Sequence, residues 1–468
     1  MCKTLYALFF IKKRHISLTL IQCKCPKNTR KKVIYMSELN YITEILELKD
    51  NNIKFFENCY YKENIKGIIH KIFEGTLSYQ PICCEKCGVV FDSKIEKHGF
   101  IISDIKIPDT AGFKTILRLK KQRFLCKHCG KTFTLRDKIT EYGCFISNNT
   151  KWKIACDLRK KISEKDIAIN NNVSPNTVER IMDSFYNTQK LHKNYLPKVL
   201  SFDEFKSVKS ADGAMSFHMC NGENGQTIDI IEDRKLPSLL SYFSYYSFNA
   251  RKSVKFIIID MYSPYVSLIK IMFPNAKIII DSFHLIQLIS RSLNKTRIRA
   301  MKNNKSAYNK MKRYWKLILK SRNELDYSKW KKFTCFPNIM TEIDVVDYII
   351  NLSPELKSTY YKYQELLYSI KEKNFNSFLF ALNTVDNSIS DYMKTSIKTL
   401  IQFKDKIQNT FNNNFHNGFI EGNNNFIKVL KRIAFGFRSF RRFKARIMIC
   451  KGLINICKEK ANAFALAS

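Results

Sequence analysis

Val199-Leu-Ser-Phe-Asp-Glu-Phe205 and Val254-Lys-Phe-Ile-Ile-Ile-Asp260 are the two stretches on which the fold turns. Each is short and apolar enough to read as a buried strand, and each delivers a carboxylate: Asp203 within the first, Asp260 at the end of the second. Reading outward, the strands expected are Lys198–Ser207, Ala214–Cys220, Gln226–Glu232, Val254–Asp260 and Ala276–Asp281. Asn221-Gly-Glu-Asn-Gly225 joins the second to the third as a hairpin turn. Leu236–Tyr246 and Ser263–Phe273 read as connecting helices. Five strands in this order, with helices after the third and fourth, match an RNase H-like α/β sheet. In that topology the first strand lies beside the fourth, so Asp203 and Asp260 become neighbours.

From His284 to about Asn412 the chain reads as helical and strongly basic, a large insertion over about 285–412. Beyond it, Phe419-Ile-Glu-Gly-Asn-Asn-Asn-Phe-Ile-Lys-Val-Leu430 can open a helix that returns Glu421 to the two strand acids. Three carboxylates gathered this way suit two Mg²⁺ ions about 3.5–4 Å apart, one activating the attacking oxygen and the other stabilising the leaving oxygen. Mg²⁺ prefers oxygen ligands and keeps several waters, which leaves room for a phosphate.

Neighbouring acids must be weighed too. Glu204 follows Asp203, but alternation turns it to the other face. Asp281, in Ile280-Asp-Ser-Phe-His284, also ends a strand and is the rival for second acid. Its strand lies one step farther from the first, which favours Asp260. His284 either supports the site or packs. Asp229 and Asp233 are expected at the surface.

Upstream, Cys84-Glu-Lys-Cys87-Gly88 and Cys126-Lys-His-Cys129-Gly130 form two CxxC pairs. Four thiolates closing a tetrahedron suit one structural Zn²⁺, within an N-terminal region of 36–140. Cys83 and His128 are adjacent spares. The 38 residues between the pairs hold a hairpin-like insertion at Lys94–Lys120, within a segment of short strands over 76–135.

Residues 150–190 read as a helix-turn-helix. Ala168 is small where two helices cross, and Ser174 caps a second helix that starts at Pro175. Asn176, Glu179 and Arg180 then lie near a surface able to face a major groove, and Asn176 and Arg180 are the DNA-binding candidates.

Lys and Arg number 80 against 41 Asp and Glu, a net +39. Such an excess goes far beyond the needs of solubility and points to a polyanion, because cationic side chains gain affinity by releasing counterions from phosphates. Fifteen cysteines in 468 residues do not make a disulfide framework, so a reducing cytoplasm fits. No stretch reads as a membrane anchor or a secretory signal. Residues 1–35 are basic and without period. They read as a leader that is not native or not ordered, with translation starting at Met36.

Together these residues resemble the ISL3 family of bacterial insertion-sequence transposases, over roughly 40–455. The carriers are the CxxCG pairs, Ser201-Phe-Asp-Glu-Phe205, Asp260-Met-Tyr-Ser-Pro-Tyr265, Phe273-Pro-Asn-Ala276 and Asp281-Ser-Phe-His-Leu285. Asn417-Gly-Phe-Ile-Glu-Gly-Asn-Asn-Asn-Phe-Ile-Lys428 and Lys431-Arg-Ile-Ala-Phe-Gly-Phe-Arg-Ser-Phe440 continue the likeness. The resemblance implies a DDE catalytic domain over 197–455 with Asp203, Asp260 and Glu421 as its triad. Asp281 and His284 resemble the D-x-x-H motif that follows the second acid in several such families. It further implies Mg²⁺-dependent cleavage at terminal inverted repeats and strand transfer into target DNA, by a homodimer or larger assembly at the nucleoid. The rival readings are a retired transposase acting as a DNA-binding regulator, and a nuclease of the same fold.

Overall fold

The computed structural model describes residues 38–91, 94–187 and 193–454. The expected leader at 1–35 and the Met36 start lie outside these residues. The chain divides into a unit ending at Leu48, whose described helix is α1 (Glu38–Ile45), and a unit running on from Lys49.

The second unit opens with a sheet of long strands. β1 (Ile53–Ile65) and β2 (Ile68–Leu77) pair antiparallel. β3 (Ile95–Thr110) and β4 (Phe113–Cys126) form a second hairpin, β4 runs parallel to β2, and β5 (Thr132–Thr134) joins β4. The short strands expected over 76–135 are therefore corrected to strands of 16 and 14 residues, and the β1–β2 hairpin was not foreseen. The reason is burial. The outer half of β3 and most of β1 face solvent, where charged residues mix with exposed Phe56, Phe100, Ile101 and Ile102, and no period-2 signal survives.

Three helices follow: α2 (Asn148–Asp157), α3 (Glu164–Asn170) and α4 (Pro175–Asn187). Ser147, Ser163 and Ser174 cap them in turn, each hydroxyl accepting a backbone N–H three residues on. Their core of Ile154, Leu158, Ile167, Ala168, Val178 and Met182 is completed from far downstream. Ala445, Met448 and Ile449 of α17 (Phe440–Cys450) fill it.

The second sheet follows the order read from the sequence. It comprises β6 (Val199–Lys206), β7 (Met215–Asn221), β8 (Thr227–Ile231), β9 (Phe256–Ile259) and β10 (Lys277–Ile280), arranged β10-β9-β6-β7-β8. The first three form an antiparallel meander; β9 runs parallel to β6, and β10 to β9. Helices α5 (Leu236–Ser244), α6 (Phe248–Lys252) and α7 (Ser263–Met272) connect them. One face buries Phe202, Phe217, Phe243, Tyr265 and Phe273 as an aromatic cluster. Burial of rings this large, at about 150–250 Å² each, is the main driving force on this face.

Helix α8 (Ser282–Asn303) starts where β10 ends. Then come α9 (Tyr308–Arg313), α10 (Trp315–Leu319), a two-stranded ribbon of β11 (Lys331–Lys332) and β12 (Ile339–Met340), α11 (Glu342–Ile350), α12 (Pro354–Lys371), α13 (Phe375–Asn383), α14 (Asp391–Gln402) and α15 (Lys404–Phe411). α15 closes the sheet's open edge. Thr410 Oγ1 accepts from Ile280 N–H at 3.0 Å and donates to Ile280 O at 2.7 Å, and Asn409 Nδ2 donates to Ile278 O. Side chains thus pair the backbone groups that an edge strand leaves free. α16 (Gly418–Ile433) then crosses the other face of β6, ahead of α17.

Candidate active site

β6 alternates Leu200 and Phe202 into the aromatic core, which turns Ser201 and Asp203 to the opposite face. As alternation requires, Glu204 points the other way; it accepts from Tyr265 Oη at 3.2 Å and pairs with Arg234. Asp203 is held on both oxygens. Oδ1 accepts from Glu204 N–H at 2.7 Å, and Oδ2 accepts from Asn424 Nδ2 at 2.7 Å.

Asp260 follows β9 and Asp281 follows β10. His284, in the first turn of α8, faces both acids. Its Nε2 lies 3.1 Å from Asp260 Oδ1, 3.9 Å from Asp281 Oδ2 and 3.9 Å from Glu421 Oε1. Asp281, His284 and Glu421 offer ligand atoms all within 4.8 Å of one another. Asp281, expected one strand farther away, thus stands in the same cluster as Asp260. The strand order is as expected, but the chain turns from β10 directly into α8, and this brings Asp281 to the same cluster instead of away from it.

Glu421 reaches the cluster because α16 is pinned at its start. Asn417 accepts a hydrogen bond from Ser201 Oγ, its N–H donates to Asp281 Oδ1, and its carbonyl accepts Glu421 N–H. Asn423 Nδ2 donates to the carbonyl of Gly225 in the β7–β8 turn. Gly225 has φ +73°, and a Cβ there would stand 2.8 Å from the Phe419 side chain, so this contact requires glycine.

Among the described residues no lysine or arginine lies within ion-pair distance of Asp203, Asp260, Asp281 or Glu421, in a chain carrying +39. Burial raises the Asp203 carboxyl to about 6, reinforced by the charges of Glu204 and Glu421. Burial raises Asp260 to about 8, with Asp203, Asp281, Glu204 and Glu421 adding to it. Asp260 Oδ1 is buried and accepts no hydrogen bond. Burial also lowers the His284 imidazole, against the pull of Asp281 and Glu421. Crowded, uncompensated carboxylates with a neutral imidazole are a donor set that fits divalent cations.

Asp229 corrects the reading of it as a surface group. It is fully buried on β8, 2.6 Å from Lys444 Nζ of α17 and 2.8 Å from Tyr242 Oη. Asp233 is half-buried and accepts from Ser238 Oγ at 3.1 Å.

The four cysteines converge. Cys84 and Cys129 Sγ are 3.9 Å apart, Cys87 and Cys126 Sγ are 3.8 Å apart, and all four lie within 4.8 Å. A Zn–S bond of about 2.3 Å gives a tetrahedral edge of about 3.8 Å, so the sulfurs fit zinc. Gly88 (φ +74°) and Gly130 (φ +66°) turn each knuckle, donating N–H to the carbonyls of Cys84 and Cys126. Neither Cys83 nor His128 joins the four.

On α4, Asn176 and Arg180 are exposed. Glu179 instead faces α17, where Arg442 pairs with it at 2.5 Å and with Asp183 at 3.6 Å.

A family model described as Transposase, that of the ISL3-type DDE enzymes, matches residues 200–447, more than half of the chain. The chain belongs to this transposase family. A second model, the zinc-finger of transposase IS204/IS1001/IS1096/IS1165, matches residues 80–129, the segment that gathers the four cysteines. The chain is also 42% identical over 113 residues to a Lactococcus lactis subsp. lactis protein named "ATP-dependent protease". That match covers 24% of this chain, which spans about a third (36%) of the relative's length. No helix among the described residues of this ISL3-type chain is long and apolar enough to cross a membrane.

Sequence reasoning missed Asn417, Asn424 and His218. Asn424 carried a signal, since it stands one helical turn after Glu421 on the same face. His218 had only its position in β7, opposite Asp203 in the register.

Proposed function

We propose that the chain is an active DNA transposase that binds the terminal inverted repeats of its element, cuts there with Mg²⁺ and joins the freed 3′-OH ends to target DNA. The single observation that carries this reading is the convergence of Asp203, Asp260 and Glu421, with Asp281 and His284, in a patch where, among the described residues, no lysine or arginine comes within ion-pair distance of the acids. The sheet order supports an RNase H-like core, with 197–455 as the catalytic domain and about 285–412 as its helical insertion. Asp203, Asp260 and Glu421 would hold two Mg²⁺ ions, which supply an activated oxygen nucleophile and stabilise the leaving oxygen. Asp281 and His284 border the same space and support it.

The four cysteines hold one structural Zn²⁺. The capped helices α2–α4 form a helix-turn-helix, with Asn176 and Arg180 meeting DNA. The basic stretch Arg291–Lys320 follows the phosphate backbone. Joining two ends calls for a dimer or larger assembly, acting at the bacterial nucleoid. The relative's name is not carried over. Gly130-Lys131-Thr132 is the one place with the ending of a phosphate-binding loop, but Leu125 stands where the loop needs glycine, and Gly130 belongs to a cysteine knuckle.

The test incubates the full chain with Mg²⁺ and DNA carrying the ends that flank its gene, then a target plasmid. Metal-dependent 3′-OH ends followed by joined products are expected. Cleavage without joining would make it a nuclease, and end binding without cleavage a regulator.

A further inference from the structure

Behind Asp203 runs a closed chain of buried hydrogen bonds. Asn424 Nδ2 is 2.7 Å from Asp203 Oδ2, Asn424 Oδ1 is 2.8 Å from His218 Nδ1, and His218 Nε2 is 3.1 Å from Thr227 Oγ1. His218 is fully buried, and Thr227 and Asn424 nearly so.

The chemistry of the groups fixes every role. An ionised carboxylate only accepts, so Asn424 turns its NH₂ to Asp203 and its carbonyl oxygen to His218. His218 must then carry its proton on Nδ1. Its bare Nε2 accepts from the Thr227 hydroxyl. Burial lowers the His218 imidazole to about 4, which keeps it neutral and in this tautomer near neutral pH. The fold builds the chain from three strands and one helix. Asp203 on β6 stands opposite His218 on β7, and Thr227 opens β8. Asn424 sits one turn beyond Glu421 on α16, so one helix carries both an acid and the tether to another acid.

We propose that His218 and Asn424 are positioning residues for the metal-holding pair Asp203 and Glu421. They fix the Asp203 carboxylate, leaving its remaining lone pairs for the cation, and they lock α16 in register over β6 so that Glu421 meets it. Neither residue touches substrate. The inference rests on the reading of Asp203 as a metal-holding carboxylate. Partners of this kind, one bond behind a ligand, typically change metal affinity by about 10–100-fold when removed.

The test compares full-length wild type with Asn424→Leu, His218→Leu, His218→Asn and Asp203→Asn. Asn at 218 returns a donor where Nδ1 stood. Three quantities are read: melting temperature in EDTA, the Mn²⁺ concentration that half-saturates the metal-induced rise in melting temperature without DNA, and the Mg²⁺ dependence of cleavage. The two Leu variants should need at least about tenfold more Mn²⁺ and Mg²⁺, with end binding unchanged, and His218→Asn should recover most of the loss. If His218→Leu does not fold, Asn424→Leu and the His218→Asn rescue carry the test. Folded Leu variants with wild-type metal midpoints, beside an inactive Asp203→Asn, overturn the relay alone. An Asp203→Asn protein that cleaves like wild type overturns the underlying reading and the relay with it.

Discussion

His284 Nε2 lies 3.1 Å from Asp260 Oδ1, yet that oxygen accepts no hydrogen bond. This buried oxygen is left without a hydrogen-bond partner in the middle of a cluster of acids. Burial raises Asp260 to about 8, and the neighbouring Asp203, Asp281, Glu204 and Glu421 add to it.

This crowding has a pH signature in metal-free protein. The folded carboxyl at about 8 holds a proton that the unfolded chain releases near about 4. Its contribution to stability is therefore full below pH 4 and is lost as pH rises through 8. Melting in EDTA should fall between pH 5.5 and 8.5 more steeply for wild type than for Asp260→Asn. Mg²⁺ should restore the wild type at the alkaline end. Equal slopes for both proteins would show that Asp260 titrates normally.

The sulfur cluster should contain one zinc per chain. Cys126→Ser should lose it and unfold the knuckles at 84–88 and 126–130, because such modules draw folding energy from the metal. Elemental analysis of reduced, soluble protein measures this directly; zinc-free wild type would contradict it.

Arg180 is exposed on α4, and its guanidinium donates to Thr177 Oγ1 of its own helix at 3.3 Å. Arg180→Ala should weaken binding to terminal-repeat DNA by about 1–3 kcal/mol and leave random DNA nearly unchanged. Fluorescence anisotropy at several salt concentrations separates the cases. An equal loss on both DNAs, with a shallower salt slope, would make Arg180 a phosphate contact.

Lys444 and Asp229 bolt α17 to β8, while the same helix fills the core of α2–α4. Lys444→Met strands a buried charge and should cost about 3–5 kcal/mol. The double variant Lys444→Met/Asp229→Asn should recover much of that in urea denaturation. A near-neutral single variant would mean that Tyr242 Oη and the Ile230 N–H suffice for Asp229.

The second sheet was legible because β9 and β10 are buried apolar runs, Phe256–Ile259 and Lys277–Ile280, and the last two of the three antiparallel strands before them are joined by a turn-rich Asn221–Gly225. The placing of Asp203 on a strand, Asp260 at a strand's end and Glu421 at a helix start was legible from the apolar runs that precede or surround them. What stayed hidden depends on partners distant in sequence. Asp229 looks like any acid until Lys444 arrives from 215 residues downstream to neutralise it. Asp281 looked remote because strand order says nothing of where the next helix points. The β1–β2 hairpin was invisible because solvent-exposed strands carry no alternation. His218 reads as a core histidine until α16 lays Asn424 against it.

The most direct test of the account is cleavage of terminal-repeat DNA by Asp203→Asn, Asp260→Asn, Glu421→Gln and Asp281→Asn, each checked for folding by melting and for end binding. The account predicts that the first three keep end binding and lose Mg²⁺-dependent cleavage and strand transfer. Their pairwise combinations should be no worse, since each already disables a shared site. Asp281→Asn should be impaired but active. Robust cleavage by Asp260→Asn beside an inactive Asp281→Asn would contradict the assignment, and undiminished cleavage by all four would contradict the site itself.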